Sequence, residues 1–172
     1  MRNIIYVALL LLLLDCAADS SAISATAEWP SPKHDLSYIP FDVSTDDPAF
    51  TICDSTRIRS GRNRLRYHEG TNAFKEAVMA GFTTEPAFAD FNGYVVVRFL
   101  VNCEGISGRY RAEALQLDFS PAKVDPALLA QALELIKSLN NWTKATDSAP
   151  ETEYFKFVNL KIENGDIQHI LL

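Results

Sequence analysis

Several residue types are scarce in this chain, and each scarcity narrows what it can do. Its 172 residues hold three cysteines and three histidines. These are Cys16, Cys53 and Cys103, and His34, His68 and His169. They show no zinc-ligand spacing, and no Walker loop, G-x-S-x-G elbow or H-E-x-x-H helix occurs. Ser and Asp form no recognisable triad or carboxylate pair, so neither a catalytic set nor a cofactor is expected. Basic charge is also short. Sixteen Lys and Arg against 22 Asp and Glu leave a net charge of -6 and a pI near 5.0. Nucleic acid is therefore not expected as the main partner, because phosphate binding needs a basic field over much of the surface. The leading apolar run, Ile4 to Leu14, has eleven residues, against the roughly 20 needed to span a bilayer.

That run follows Arg2 and precedes a tract of small residues, which together make a secretory leader over residues 1–27. Two processing outcomes remain open. Cleavage at a small-x-small site, such as Cys16-Ala17-Ala18 or Ala25-Thr26-Ala27, releases a soluble protein. Alternatively Cys16 is lipidated as in bacterial lipoproteins, a pattern that Asp15 weakens. Either outcome places the chain outside the cytoplasm, in the periplasm or cell envelope, with a lipid anchor as its one route to a membrane.

Residues 28–49 are rich in Ser, Ala, Pro and Asp and are expected to be a linker or irregular lead-in. Residues 50–172 form the domain, with its core over 71–172. "FTICD" is expected to be a short strand, and "RIRSGRNRLRY" two short strands around a turn at residues 60–63. "GTNAFKEAVMAGF" carries Phe74, Ala77, Val78 and Phe82 at helical spacing, with Thr71 as the expected N-cap. "NGYVVVRFLVNCEG" alternates, with Val95, Val97, Phe99 and Val101 inward and Tyr94, Val96, Arg98, Leu100 and Asn102 on the other face. "ISGRYRAEALQLDF" then returns antiparallel to it. "DPALLAQALELIKSLNNW" has Asp125 as N-cap, Pro126 at the first helical position and a leucine-rich stripe. "EYFKFVNLKIENGDIQHILL" forms two strands around Asn164-Gly165, the strongest short hairpin signal. The expected fold is α+β: a curved antiparallel sheet of three to four strands with two helices on one face, plus an N-terminal extension.

From about residue 71 to the C-terminus, this order resembles the TonB C-terminal domain family. The elements that carry the resemblance are "GYVVVRFLVNCEGI", the Asp-capped helix with Trp142 about three residues past it, and "EYFKFVNLKI". Two departures accompany it. No proline-rich spacer or motor-coupled membrane helix is read in the chain, so energy transduction is not carried over, and "WTKATDSAPETEY" replaces the family's W-x-P-A loop. What the resemblance implies is a non-catalytic module that accepts an extended peptide or protein segment by strand addition. The partner would be an envelope protein or peptide, with an outer-membrane transport component as one candidate. Tyr154, Lys156, Val158, Leu160 and Ile162, on the last long strand, are the implied binding residues. The competing expectation is that this strand is core sheet, its edge covered by residues 167–171.

Two further constellations stand beside the resemblance. Cys53 and Cys103 are the pair left once Cys16 is removed or lipidated, and in an exported chain an even count favours a disulfide, with buried free thiols as the alternative. Arg57, Arg59, Arg62, Arg64 and Arg66 are five of the sixteen basic residues within ten positions. They suit phosphate, carboxylate or an acidic partner, or else a solvated strand pair meeting Asp54 and Glu69. Other readings are a homodimer through the sheet edge, and a small enzyme or accessory subunit using Tyr94, Arg98, Arg109 and Arg111 as a pocket. The histidines are expected to be surface residues, and "NWT" at Asn141 is discounted as a glycosylation acceptor.

N-terminal sequencing of the exported protein tests the leader. A new N-terminus at or before residue 28, or a blocked acylated Cys16, is expected, whereas an intact Met1 on a cytoplasmic protein would refute export.

Overall fold

The computed structural model of the chain describes residues 39–145 and 152–172. The expected leader, Cys16, His34 and the start of the lead-in lie outside these residues. In chain order the elements are β1 (Ile58–Ser60), β2 (Leu65–Tyr67), α1 (Thr71–Gly81), β3 (Gly93–Val101), β4 (Ser107–Leu115), α2 (Pro126–Ser138), β5 (Trp142–Lys144), β6 (Glu153–Glu163) and β7 (Asp166–Leu171). Short 3-10 turns occupy Ser55–Arg57 and Pro86–Phe88.

Alternation in β3 determines the core. Val95, Val97, Phe99 and Val101 are fully buried and meet Phe74 and Val78 of α1 and Leu128, Ala132 and Ile136 of α2. The even positions of β6 from Tyr154 onward join them, except Lys156. β3 pairs antiparallel with β6 from Gly93↔Ile162 to Val101↔Tyr154, and with β4 on its other side. Asn102, Gly105 (φ +85°) and Ile106 close the β3–β4 turn. Asn164 and Gly165, at φ +52° and +75°, make the β6–β7 turn with both central residues left-handed, as a twisted two-residue hairpin requires. Asp125 caps α2 by accepting from the Ala127 N–H at 2.8 Å, with Pro126 in the first turn.

The α+β class is as expected, and four details differ. "FTICD" forms no strand. The N-cap of α1 is Gly70, and Thr71 is its first helical residue. β1 and β2 do not pair with each other, because Gly61 donates to the Phe155 carbonyl at 2.8 Å and the chain turns away there. A Cβ on Gly61 would lie 2.7 Å from Leu65 Cδ1 and 2.9 Å from that carbonyl, so the turn needs glycine. β1 therefore runs parallel to β6, while β2 pairs with β5 in a separate ribbon. Among the described residues the main sheet has five strands, one of them parallel, where three to four antiparallel strands were expected.

The described part of the lead-in segment, from residue 39, packs onto the domain. Ile39 and Phe50 pack with Leu100, Ile52, Ile58 and Phe155 on the face of the sheet away from the helices. Polar contacts hold the segment there. Arg111 makes a two-pronged pair with Asp46, both bonds 2.7 Å, and donates to the Pro40 carbonyl at 2.8 Å. Arg109 donates to the Ile39 carbonyl at 2.9 Å, and Asn102 to the Thr51 carbonyl at 3.1 Å. The Arg111 guanidinium lowers the Asp46 pKa mainly through these hydrogen bonds. Cys53 and Cys103 form the expected disulfide, with Cα atoms 6.1 Å apart across 50 positions of sequence.

Glu153 completes the attachment. It is 1% exposed, and its Oε1 accepts from the backbone N–H groups of Cys53 and Asp54. Its Oε2 has no hydrogen-bond partner among the described residues. Burial raises its pKa above the ordinary 4.5; the two N–H donors and the Arg109 charge oppose that shift, and the Asp54 charge adds to it.

Opening the disulfide by C53S/C103S should cost about 4 kcal/mol in the chain-entropy model. Thermal melting and limited proteolysis would show the loss, with cleavage appearing first in residues 39–57 and the far-ultraviolet spectrum retained. A double variant as stable as the parent would show that the other contacts suffice. Glu153 gives a pH signature. The folded state retains its proton to higher pH than the unfolded chain, so this group's contribution to stability falls as pH rises from 4.5 through the raised value. Melting curves of E153Q against pH should lack that decline, and an unchanged slope above pH 4.5 would exclude Glu153 as its source.

Candidate functional site

The residues singled out in the sequence separate on folding. Tyr154, Val158, Leu160 and Ile162 point into the core beneath the helices, so their side chains are closed to a partner. The backbone edge of their strand is largely closed as well. β3 occupies one side of β6. On the other, β1 pairs with Glu153–Phe155 and β7 with Asn159–Glu163. Residues 156–158 are left between them. Because the Phe155 carbonyl bonds to Gly61 on that side, alternation turns the Phe157 N–H and C=O into the gap. With β1 and β7 blocking the gap at both ends, an extended segment cannot lie along it, so the long binding edge expected over Tyr154 to Ile162 is not available.

The arginine cluster divides at Gly61. Arg57 pairs with Asp54 at 3.1 Å. Arg59 is exposed in β1, its Nη1 3.4 Å from the Ile58 carbonyl. Arg62 and Arg64 lie in the turn that follows Gly61, across the gap from β6, and Arg66 in β2. Two clefts open there and share Arg62, Asn63, Lys156, Leu171 and Leu172. The first, about 940 Å³, is walled by Arg66, Tyr67, Lys75, Trp142 and the start of α1 at Gly70 and Thr71. The second, about 820 Å³, faces the other side of the sheet, against Val96, Glu113, Phe155 and Phe157. Of the expected binding residues, the fold thus gathers Arg62, Arg64, Arg66 and Lys156 and leaves Arg57 and Arg59 outside.

Lys156 is the unusual member. Its alternation phase points it inward between Tyr154 and Val158, and it is only 4% exposed. The ammonium lies 5.7 Å from the centroid of the Trp142 ring and has no hydrogen bond or ion pair among the described residues. Burial, and then the Arg62 charge, hold its pKa below the usual lysine value. Trp142 is equally enclosed, its ring 5.2 Å from Phe74, 5.3 Å from Phe99 and 5.7 Å from Tyr67. Its Nε1 is a buried donor without a partner among the described residues.

The mixed face considered as an enzyme pocket is mostly occupied. Arg109 and Arg111 hold the N-terminal segment, and Tyr94 stacks on Phe119 at 5.1 Å. His68 and His169 are exposed, and no group of three His, Cys, Asp or Glu among the described residues could hold a metal ion. Lys75, Tyr67 and Trp142 were missed as site residues because they reach the cleft from three separate elements. The one available signal was a charged residue, Lys156, on the apolar phase of a strand.

Comparison with known proteins adds no relative: no family model, curated protein or solved structure matches the chain.

Proposed function

We propose that this protein is a non-catalytic binding module of the cell envelope that pairs with an extended segment of a partner protein or peptide by strand addition, the mode of the TonB C-terminal domains it resembles. The observation that carries this is the outer edge of β7. Among the described residues β7 pairs with β6 alone, so it takes the position at the end of the sheet that the sequence suggested for β6. The hairpin joins Glu163 to Asp166, and the pairs Lys161↔His169 and Asn159↔Leu171 continue the ladder. In that phase the N–H and C=O of Ile170 point away from the sheet. The opposite edge is less open, since the Ala114 carbonyl bonds to Ala122 N–H and the Tyr110 carbonyl to Arg111. The order of helices and strands from α1 to β7 supports the family resemblance. An incoming chain would gain main-chain bonds along β7, beside exposed His169 and Leu171.

Peptides selected on the native protein from a random library of extended sequences provide the test. Amide hydrogen exchange should show the Ile170 N–H newly protected in the complex. I170P, which removes that N–H, should bind about fivefold or more weakly than I170V if roughly a kcal/mol of main-chain bonding is lost. Circular dichroism checks that both variants fold. Bound peptide with an unprotected Ile170 amide would refute strand addition here, and protection that rises with protein concentration alone would identify self-pairing of the edge.

A further inference from the structure

We propose that the cleft at Lys156 is an anion site, shaped for a multiply charged oxyanion of the phosphate or carboxylate type that Lys156, Arg62, Arg66 and Lys75 hold together. This goes beyond strand addition at β7 and does not depend on it.

The charged side chains of the lining are of one sign in a protein whose net charge is -6. Arg62, Arg66, Lys75 and Lys156 line the cleft, and no Asp or Glu does. Among the described residues, none of the four makes an ion pair. Exposed Arg62 and Arg66 would be unremarked surface cations by themselves. Lys156 is different, because an ammonium removed from water normally acquires a carboxylate or several carbonyls. Here it has only the face of Trp142 on one side and opens onto the cleft on the other. Burial and the Arg62 charge both disfavour its charged form, and an anion in the cleft would relieve both. The first turn of α1 adds backbone N–H groups at the same wall: among the described residues Gly70 supplies no side-chain cap, and no acidic residue occupies that turn. A volume near 940 Å³ leaves room for more than one charged group.

Calorimetric titration of the exported, disulfide-intact protein at low salt, with inorganic pyrophosphate and separately with citrate, tests the site. Saturable binding of at least one probe is expected, and the two arms separate phosphate from carboxylate chemistry. K156M and R62A/R66A should each weaken binding about tenfold or more, as expected when charge-assisted bonds are removed. R57A/R59A removes two charges outside the cleft and should change it less than about twofold. Melting adds a second readout. K156M, relieved of a desolvated ammonium, should melt at or above the parent temperature without ligand, yet gain nothing from pyrophosphate. If K156M does not fold, the exposed R62A/R66A pair decides. The proposal is overturned if neither probe binds saturably, if R57A/R59A weakens binding as much as R62A/R66A, or if folded K156M binds like the parent.

Discussion

β3 is the strand on which the rest of the molecule depends. All nine of its residues pair with β6, and β4 lies along its other side, so its backbone is satisfied without solvent. Its odd side chains form the floor on which both helices rest. Such a strand must be apolar on its helix side, and once the N-terminal segment covers Leu100 it becomes buried on part of the other face as well. This explains why its burial is more continuous than simple alternation would produce, with Val96, Leu100 and Asn102 enclosed alongside the inward set.

That second face is built from contacts remote in sequence. The disulfide, the Arg111–Asp46 pair and the Glu153 carboxylate all fasten residues 39–54 to the β3–β4–β6 surface. They differ in character. The disulfide acts largely by restricting the unfolded chain, Arg111–Asp46 supplies two charge-assisted bonds, and Glu153 satisfies two N–H groups while carrying a desolvation cost of its own. The segment buries Ile39 and Phe50 but leaves Phe41 and Val43 exposed, so several unlike attachments share the work of holding it. It also engages Arg109 and Arg111 in hydrogen bonds.

The same economy governs the sheet edge. β1 and β7 both lie against the outer side of β6, and because they stop short of each other they leave the gap at residues 156–158. Closing the rest of β6 moves the free edge outward to β7. The gap places Lys156 between two clefts and next to the turn bearing Arg62. Edge and cleft are thus consequences of one packing arrangement, although the two proposals place different ligands there: an extended chain along β7, and an anion in the cleft.

Local patterns carried much of the architecture. Strand phase in β3, the Asp125-Pro126 start of α2, the Asn164-Gly165 turn and the pairing of the two remaining cysteines are each decided within a few residues or by elimination, so they were legible from the sequence. Other features were not. That β1 runs parallel to β6 rather than pairing with β2 depends on Gly61 approaching the Phe155 carbonyl. That Lys156 is buried without an ion-pair partner among the described residues depends on Trp142, β2 and the Arg62 turn converging from elsewhere in the chain. Glu153 reaches Cys53 across 100 positions, and Arg111 reaches Asp46 across 65. Periodicity and capping report which face of an element is apolar and where the element begins or ends. Which strand closes an edge, and which charge is left enclosed, are settled only when distant segments compete for the same hydrogen bonds and the same buried space.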